Sequence, residues 1–229
     1  MRTSWFGLFG LCVIIVIIAV FIWIKSKERM VRYNGFYYRV SDEHPKETAE
    51  ILDKMNNTAI KLIELMRKRL EKHDSGERRM TPSDYVQLSK LYNNLRKRYN
   101  PDVIQETIYN PLQPELTSYT VQKGKVLSMC VRYNGEREPW PVLLLVLLHE
   151  LTHIASNVRQ HPPAFWDNYK FILRLVVEEG WGKDLKLPPG DVLYCGRVQI
   201  SSDELARLKH LYPDGDPNSD ILSVTCNHS

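Results

Sequence analysis

Cysteine is scarce in this chain, whose 229 residues include only four, at positions 12, 130, 195 and 226. No two of them are closely spaced, so the sequence predicts neither a disulfide framework nor a zinc site built on thiolates. Cys130 falls on a predicted buried strand, where we expect it to pack as a small apolar residue. Nothing in this pattern requires an oxidising compartment.

Internal repeats are absent, and the apolar run at residues 141–148 is too short to cross a bilayer. The composition is that of a globular protein, with 43% hydrophobic residues, 25% charged residues and a formal net charge of +4. Apart from its N-terminal segment, the chain has room for one domain of about 200 residues.

The N-terminus carries the one long apolar run. Residues 5–24 contain no charged side chain, and such a length is enough to cross a bilayer as a helix. Trp5 and Trp23 lie near its ends, where interfacial aromatic residues are favoured. A cleaved signal peptide is the alternative, but residues 20–24 are bulky where a cleavage site needs small residues. We therefore expect an uncleaved transmembrane helix over 5–24, after a flank of residues 1–4.

Basic residues follow this run in a juxtamembrane segment, residues 25–34, whereas only Arg2 and the amino terminus precede it. The positive-inside rule then predicts a single-pass membrane protein. Its C-terminal domain is expected on the cytoplasmic side, or on the interior face of a viral membrane. The membrane would be a partner through residues 5–24.

Hydrophobic periodicity and capping signals locate the remaining elements. We expect strands at 35–40 and 125–133, and helices at 45–72, 82–99, from 140 onward, and 163–179. Residues 100–114, which include three prolines, are predicted to be mostly loop. The domain is expected to span residues 35–211, and residues 212–229 are expected to be a weakly ordered tail.

The most informative stretch is His149-Glu150-Leu151-Thr152-His153. Positions i and i+4 of a helix project from nearly the same face, so His149 and His153 can bind one metal ion together. Imidazole nitrogens suit zinc, and Glu150 is placed to take a proton from a water that attacks a carbonyl, as in zinc peptidases. The alternative is a pair of core histidines satisfied by hydrogen bonds, because the preceding residues 141–148 are apolar on every face.

A catalytic zinc needs three protein ligands and one open position, and His161 is the predicted third ligand. The helix is predicted to stop at 156–157, where asparagine tolerates a left-handed turn, and a short loop would return His161 to the metal. Glu178 and Glu179 are the competing ligands, as in zinc peptidases that use a glutamate. His161 as a solvated loop histidine is the remaining alternative.

Three motifs lie around these histidines. They are Met129-Cys130-Val131-Arg132 at the end of a predicted strand, the His-Glu-Leu-x-His sequence on the predicted helix, and Phe165-Trp166 after His161. Over residues 125–171 this order resembles the WLM family of zinc metallopeptidases, relatives of the SprT-like proteases. Ser118-Tyr119-Thr120, Lys123-Gly124 and Tyr194-Cys195-Gly196 resemble features of related proteins from large DNA viruses. The seven residues between His153 and His161 are more than is usual in the family.

The resemblance implies an α+β, zincin-like metallopeptidase domain with a small mixed sheet and an active-site helix, preceded here by one transmembrane helix. It implies zinc as cofactor, Glu150 as general base, and a protein or peptide substrate, with DNA-associated proteins as candidates. Zincin folds place an edge strand beside the metal, and an extended substrate would pair with it. The candidates for that pairing are Lys125, Val126, Leu127, Ser128 and Met129. Tyr194 is the candidate oxyanion stabiliser, and a packing aromatic is its alternative role.

Two other interpretations stay open. Residues 25–99 contain 18 Lys and Arg against 11 Asp and Glu, with dense points at 67–69 and 96–98. A nucleic-acid interface is one interpretation, but no aromatic residues interleave these clusters, so a solvated helix face is favoured. The alternative function is a non-catalytic, zinc-stapled interaction module tethered to a membrane, and the presence of Glu150 argues against it.

Overall fold

The computed structural model describes residues 5–26, 28–41, 43–108, 117–158, 160–187 and 192–200. The predicted tail, 212–229, and the domain boundary at 211 lie outside these residues. The helices that the structure describes are α1 (Trp5–Ser26), α2 (Pro45–Asp74), α3 (Pro82–Arg98), α4 (Trp140–Ala155) and α5 (Pro163–Glu178). The strands are β1 (Glu28–Tyr33), β2 (Phe36–Ser41), β3 (Ile104–Glu106), β4 (Tyr119–Val121), β5 (Val126–Met129), β6 (Arg132–Tyr133), β7 (Glu136–Arg137), β8 (Val192–Tyr194) and β9 (Val198–Ile200).

The predicted membrane topology is wrong. Among the described residues, no helix has the length and apolar character that a membrane crossing requires. The transmembrane helix at 5–24 and the single-pass localisation are corrected by this finding.

A five-stranded mixed sheet has the order β1-β2-β3-β5-β4. β1 and β2 form an antiparallel hairpin, β2-β3 and β3-β5 are parallel, and β4 is antiparallel to β5. The hairpin turns at Asn34 and Gly35, whose φ angles of 47° and 91° fit the left-handed pair of a type I′ turn. Two predictions are corrected here: the segment 25–34 contributes β1, and the predicted loop 100–114 contains β3.

The predicted strand 125–133 divides into β5 and β6, and β5 is not an edge strand. Leu127 pairs with Ile104 of β3 on one side and with Thr120 of β4 on the other. Because both rows of backbone hydrogen-bonding groups are used, the predicted pairing of a substrate with residues 125–129 is wrong. The sheet edge on this side is β4.

The helix α4 runs through the core, as its all-round apolar sequence predicted. Every residue from Val142 to Thr152 is buried. An apolar stripe of α2, from Ile51 to Met66, is buried as well. The histidine pair therefore lies on a helix that is packed on all sides, and its backbone has little freedom to move.

A disulfide joins Cys130, just after β5, to Cys195 in the turn between β8 and β9. Cys195 and Gly196 have φ angles of 48° and 68°, and a Cβ at Gly196 would lie 2.1 Å from the Tyr133 ring. Glycine is therefore favoured there by backbone conformation, and a larger residue would displace the Tyr133 ring. The expectation that Cys130 is a free apolar residue is wrong, because a separation of 65 residues gives no local signal.

Removing this disulfide should destabilise the fold, because it closes a long loop in the unfolded chain. We expect the Cys130→Ala/Cys195→Ala double variant to lose about 2–4 kcal/mol of unfolding free energy. Urea unfolding followed by circular dichroism measures the loss, with Cys12→Ala as the control. Equal stability of the double variant and the wild-type chain would contradict the disulfide.

Candidate metal centre

Three histidine nitrogens converge on one point. The Nε2 atoms of His149 and His153 are 3.2 Å apart, and each is 3.0 Å from Nε2 of His161. His149 is buried and the other two are partly buried. Of the residues that the structure describes, these three form the group of His, Cys, Asp or Glu side chains that could hold a metal ion.

The donor geometry fits a tetrahedral metal. Ligand nitrogens at 2.0–2.1 Å from a tetrahedral zinc are separated by about 3.3 Å, close to the 3.0–3.2 Å found here. A neutral imidazole has one N–H and one lone pair. Three ring nitrogens this close repel one another when all present lone pairs, and a cation between them removes that repulsion. The three histidines are therefore placed so that they could hold a metal ion.

The predicted end of α4 is confirmed, although its geometry differs from the expectation. The helix stops at Ala155, and Ser156 is extended, with φ −86° and ψ 148°. The left-handed residue of the following loop is Gln160, with a φ of 56°, and it directly precedes His161. The chain thus reverses one residue before the third ligand.

This loop is held by cationic side chains from α3 and from the turn after β4. Lys123 Nζ donates to the carbonyl oxygens of Ser156 and Val158, at 2.7 Å each. Arg98 donates to the carbonyls of Ile154 and Ser156. Cations at a helix C-terminus satisfy its free carbonyls and its dipole. These donors fix the path along which His161 approaches the histidine pair.

Aromatic side chains of α5 hold the imidazole rings in place. The Phe165 ring stacks on His153 with centroids 4.2 Å apart, and Trp166 stacks on His161 at 5.4 Å. Tyr169 meets His149 edge-on at 5.4 Å, while its hydroxyl donates to the Leu145 carbonyl. Close ring packing restricts the rotation of each imidazole. The nitrogens are therefore pre-aligned for a metal.

Glu150 is fully buried next to His149 on α4. Its Oε2 accepts a hydrogen bond from Thr120 Oγ1 at 2.8 Å, whereas its Oε1 has no hydrogen-bond partner. Burial raises the pKa of Glu150 to about 7, and the Thr120 hydrogen bond acts in the opposite direction. A divalent cation at the histidines would also lower this pKa, since opposite charge favours the ionised form.

The competing ligands are elsewhere. Glu178 and Glu179 lie at the far end of α5, where they form ion pairs with Arg69 and Arg78. These pairs join the ends of α2 and α5. The structure thus brings His161 to the histidine pair and engages the two glutamates in other contacts.

Tyr194 has a different environment from the one predicted. Its hydroxyl donates to the Cys130 carbonyl at 2.7 Å and lies 2.6 Å from Ser118 Oγ, and the residue is only 1% exposed. A phenol has a single proton to donate, so stabilising an oxyanion would require breaking the bond to Cys130. This geometry favours the alternative role, a packing aromatic that ties the β8–β9 hairpin to β5.

Sequence reasoning missed Thr120, Lys123 and Arg98 as supports of the site. Two signals pointed near them, since Ser118-Tyr119-Thr120 and Lys123-Gly124 stood out in the sequence without an assigned role. The third such group, Tyr194-Cys195-Gly196, contacts the first through Ser118. The first group overlaps β4, the second lies just after it, and the third contacts the residue that precedes it.

Comparisons with known proteins add little to the assignment of a fold family or a function to this chain. No family model matches the chain, and no solved structure matches it. The zincin-like fold class predicted from the sequence is corrected to the observed mixed α/β fold with a small sheet. The chain is 28% identical over 105 residues to an uncharacterised protein of Acanthamoeba polyphaga mimivirus. That match covers 44% of this chain and 53% of the viral protein. The chain thus spans about half the length of this relative.

Metal binding can be tested ligand by ligand. We expect the purified chain to hold one zinc ion, and His161→Ala to weaken its affinity by about a hundredfold or more, because even supporting residues of such sites contribute 10–100-fold. Elemental analysis and competition with a chromophoric chelator measure this.

Glu178→Gln, Glu179→Gln and His44→Ala are matched controls that should keep the wild-type affinity. Zinc loss on the glutamate substitutions, with His161→Ala unaffected, would instead assign a glutamate as third ligand.

Proposed function

We propose that the chain is a zinc-dependent metallopeptidase that hydrolyses peptide bonds in protein substrates. The observation that carries this proposal is the convergence of three histidine Nε2 atoms within 3.0–3.2 Å beside a buried glutamate. The resemblance of residues 125–171 to WLM metallopeptidases points to the same activity. His149, His153 and His161 are the ligands, and Glu150 is the general base.

Bound zinc would supply Lewis-acid chemistry, polarising a carbonyl oxygen and making water more acidic. Glu150 Oε1, which has no hydrogen-bond partner, takes the proton from the attacking water. The same carboxyl group then gives that proton to the nitrogen as the carbon–nitrogen bond breaks. Water is consumed, and the products are a carboxylic acid and an amine.

The edge strand β4 is the better candidate for holding an extended substrate. It pairs with β5 on one side, and Thr120 at its centre contacts Glu150. An extended peptide can add to an exposed sheet edge through backbone hydrogen bonds. A peptide on this edge would lie close to the proposed base.

The alternative, a non-catalytic zinc-stapled module, is disfavoured by the number of ligands. Structural zinc sites close their coordination with four protein ligands. Within the described part of the chain, the cluster contains three. A tetrahedral metal held by these three histidines would keep a fourth position for water or substrate, as in catalytic zinc sites.

Nucleic acid is a weaker candidate partner than a peptide. Arg67 pairs with Glu64 and Glu71, and Arg69, whose side chain is 11% exposed, pairs with Glu178. Arg98 donates to helix carbonyls. Charges that are compensated inside the protein contribute little to phosphate binding, so Arg67, Arg69 and Arg98 add little to a nucleic-acid interface.

Glu150→Gln tests the chemistry directly. The amide keeps the shape of the side chain but cannot take a proton, so zinc content should be unchanged while peptide cleavage falls by about a hundredfold or more. Cleavage is measured with a quenched-fluorescence peptide library. Glu106→Gln is the matched control, because this buried glutamate of β3 bonds instead to the Ser41 amide. Full activity in Glu150→Gln would refute its role as base.

A further inference from the structure

The strand β4 is short for the position it occupies. It has three residues, lies at the sheet edge and pairs with β5 alone. Such a strand is held only weakly by its own ladder. Nevertheless it carries Thr120, whose hydroxyl donates to Glu150 Oε2. The position of the buried carboxylate therefore depends on what else holds β4.

Before β4, a closed ring of three hydrogen bonds fixes Ser118. The Cys130 amide donates to Ser118 Oγ at 2.9 Å, and the Tyr194 hydroxyl donates to the Cys130 carbonyl at 2.7 Å. Ser118 Oγ and the Tyr194 hydroxyl are 2.6 Å apart. Since Tyr194 has already used its proton, Ser118 is the donor of this third bond. The Cys130–Cys195 disulfide braces the same ring.

After β4, a tight turn fixes the other end. Gln122, Lys123 and Gly124 have φ angles of 45°, 55° and 107°, and a Cβ at Gly124 would lie 2.7 Å from the Arg98 carbonyl oxygen. Lys123 reaches from this turn to the carbonyls of Ser156 and Val158. The strand is thus linked at one end to the β8–β9 hairpin and at the other end to the loop before His161.

We propose that Thr120 is a positioning residue for peptide hydrolysis, which holds Glu150 by Oε2 and leaves Oε1 to take the proton. This inference rests on the proposed function, in which Glu150 is the base. Ser118 directly precedes β4 and lies two residues before Thr120. The ring at Ser118 therefore holds the start of the strand from which Thr120 reaches Glu150.

The test compares Thr120→Val, which keeps the shape but loses the hydroxyl, with Thr120→Ser, which keeps the hydroxyl. The substrate is the library peptide that the wild-type chain cleaves fastest. We expect Thr120→Val to lower kcat about tenfold, as for loss of one hydrogen bond to a charged group, with KM and zinc content unchanged. Thr120→Ser should restore most of kcat. Thr107→Val is the matched control, because its hydroxyl bonds to Ser128 in the same sheet.

A second pair of variants tests the support of β4. Tyr194→Phe breaks the ring without removing the aromatic side chain, and it should lower kcat about threefold with zinc retained. Tyr99→Phe, which removes a buried hydroxyl bonded to Asn56, should leave kcat unchanged.

The outcomes separate the inference from the proposed function. An active wild-type chain whose kcat is unaffected by Thr120→Val overturns the inference alone. Loss of zinc or of folding in Thr120→Val that Thr120→Ser repairs, without a specific loss of kcat, would show a merely structural role and also overturn it. A zinc-loaded wild-type chain that cleaves no peptide overturns the proposed function and the inference with it.

Discussion

The structure depends on holding three mutually repelling ring nitrogens within 3.0–3.2 Å of one another. His149 and His153 obtain this arrangement from one rigid, buried helix. His161 obtains it from a loop that must return to that helix and stay there. The aromatic residues of α5 and the side-chain donors on α3 and after β4 support this loop. They restrict the conformational freedom that the loop would otherwise have.

Local patterns predicted much of this, and pairings distant in sequence were not predicted. The ligand pair, the core position of α4 and the end of that helix follow from 3.6-residue periodicity and neighbouring residues. Thr120 and Glu150 are 30 residues apart, Lys123 and Ser156 are 33 apart, and the two bridged cysteines are 65 apart. No periodicity links such positions, so only the folded chain reveals them.

Two elements that were not predicted, β1 and the β6–β7 hairpin, had a recognisable signal in the sequence. Asn34-Gly35 and Asn134-Gly135 are typical of two-residue hairpin turns, and both adopt the left-handed angles of such a turn. They would have predicted β1 and the β6–β7 hairpin. The topology assigned to residues 5–24 had a different cause, because it rested on the apolar run, its flanking tryptophans and the basic residues that follow it. The substrate strand was misplaced because sheet order cannot be inferred from the sequence of one strand.

The hairpin that completes the support of β4 also sets an order of assembly. Ribosomal synthesis makes the three histidines and Glu150 well before it reaches Tyr194 and Cys195. Until residues 192–200 are joined to Cys130, the nascent chain has its ligands but lacks the ring that fixes Ser118. Under the proposed function, the alignment of Glu150 through Thr120 is therefore completed only when this late segment has folded.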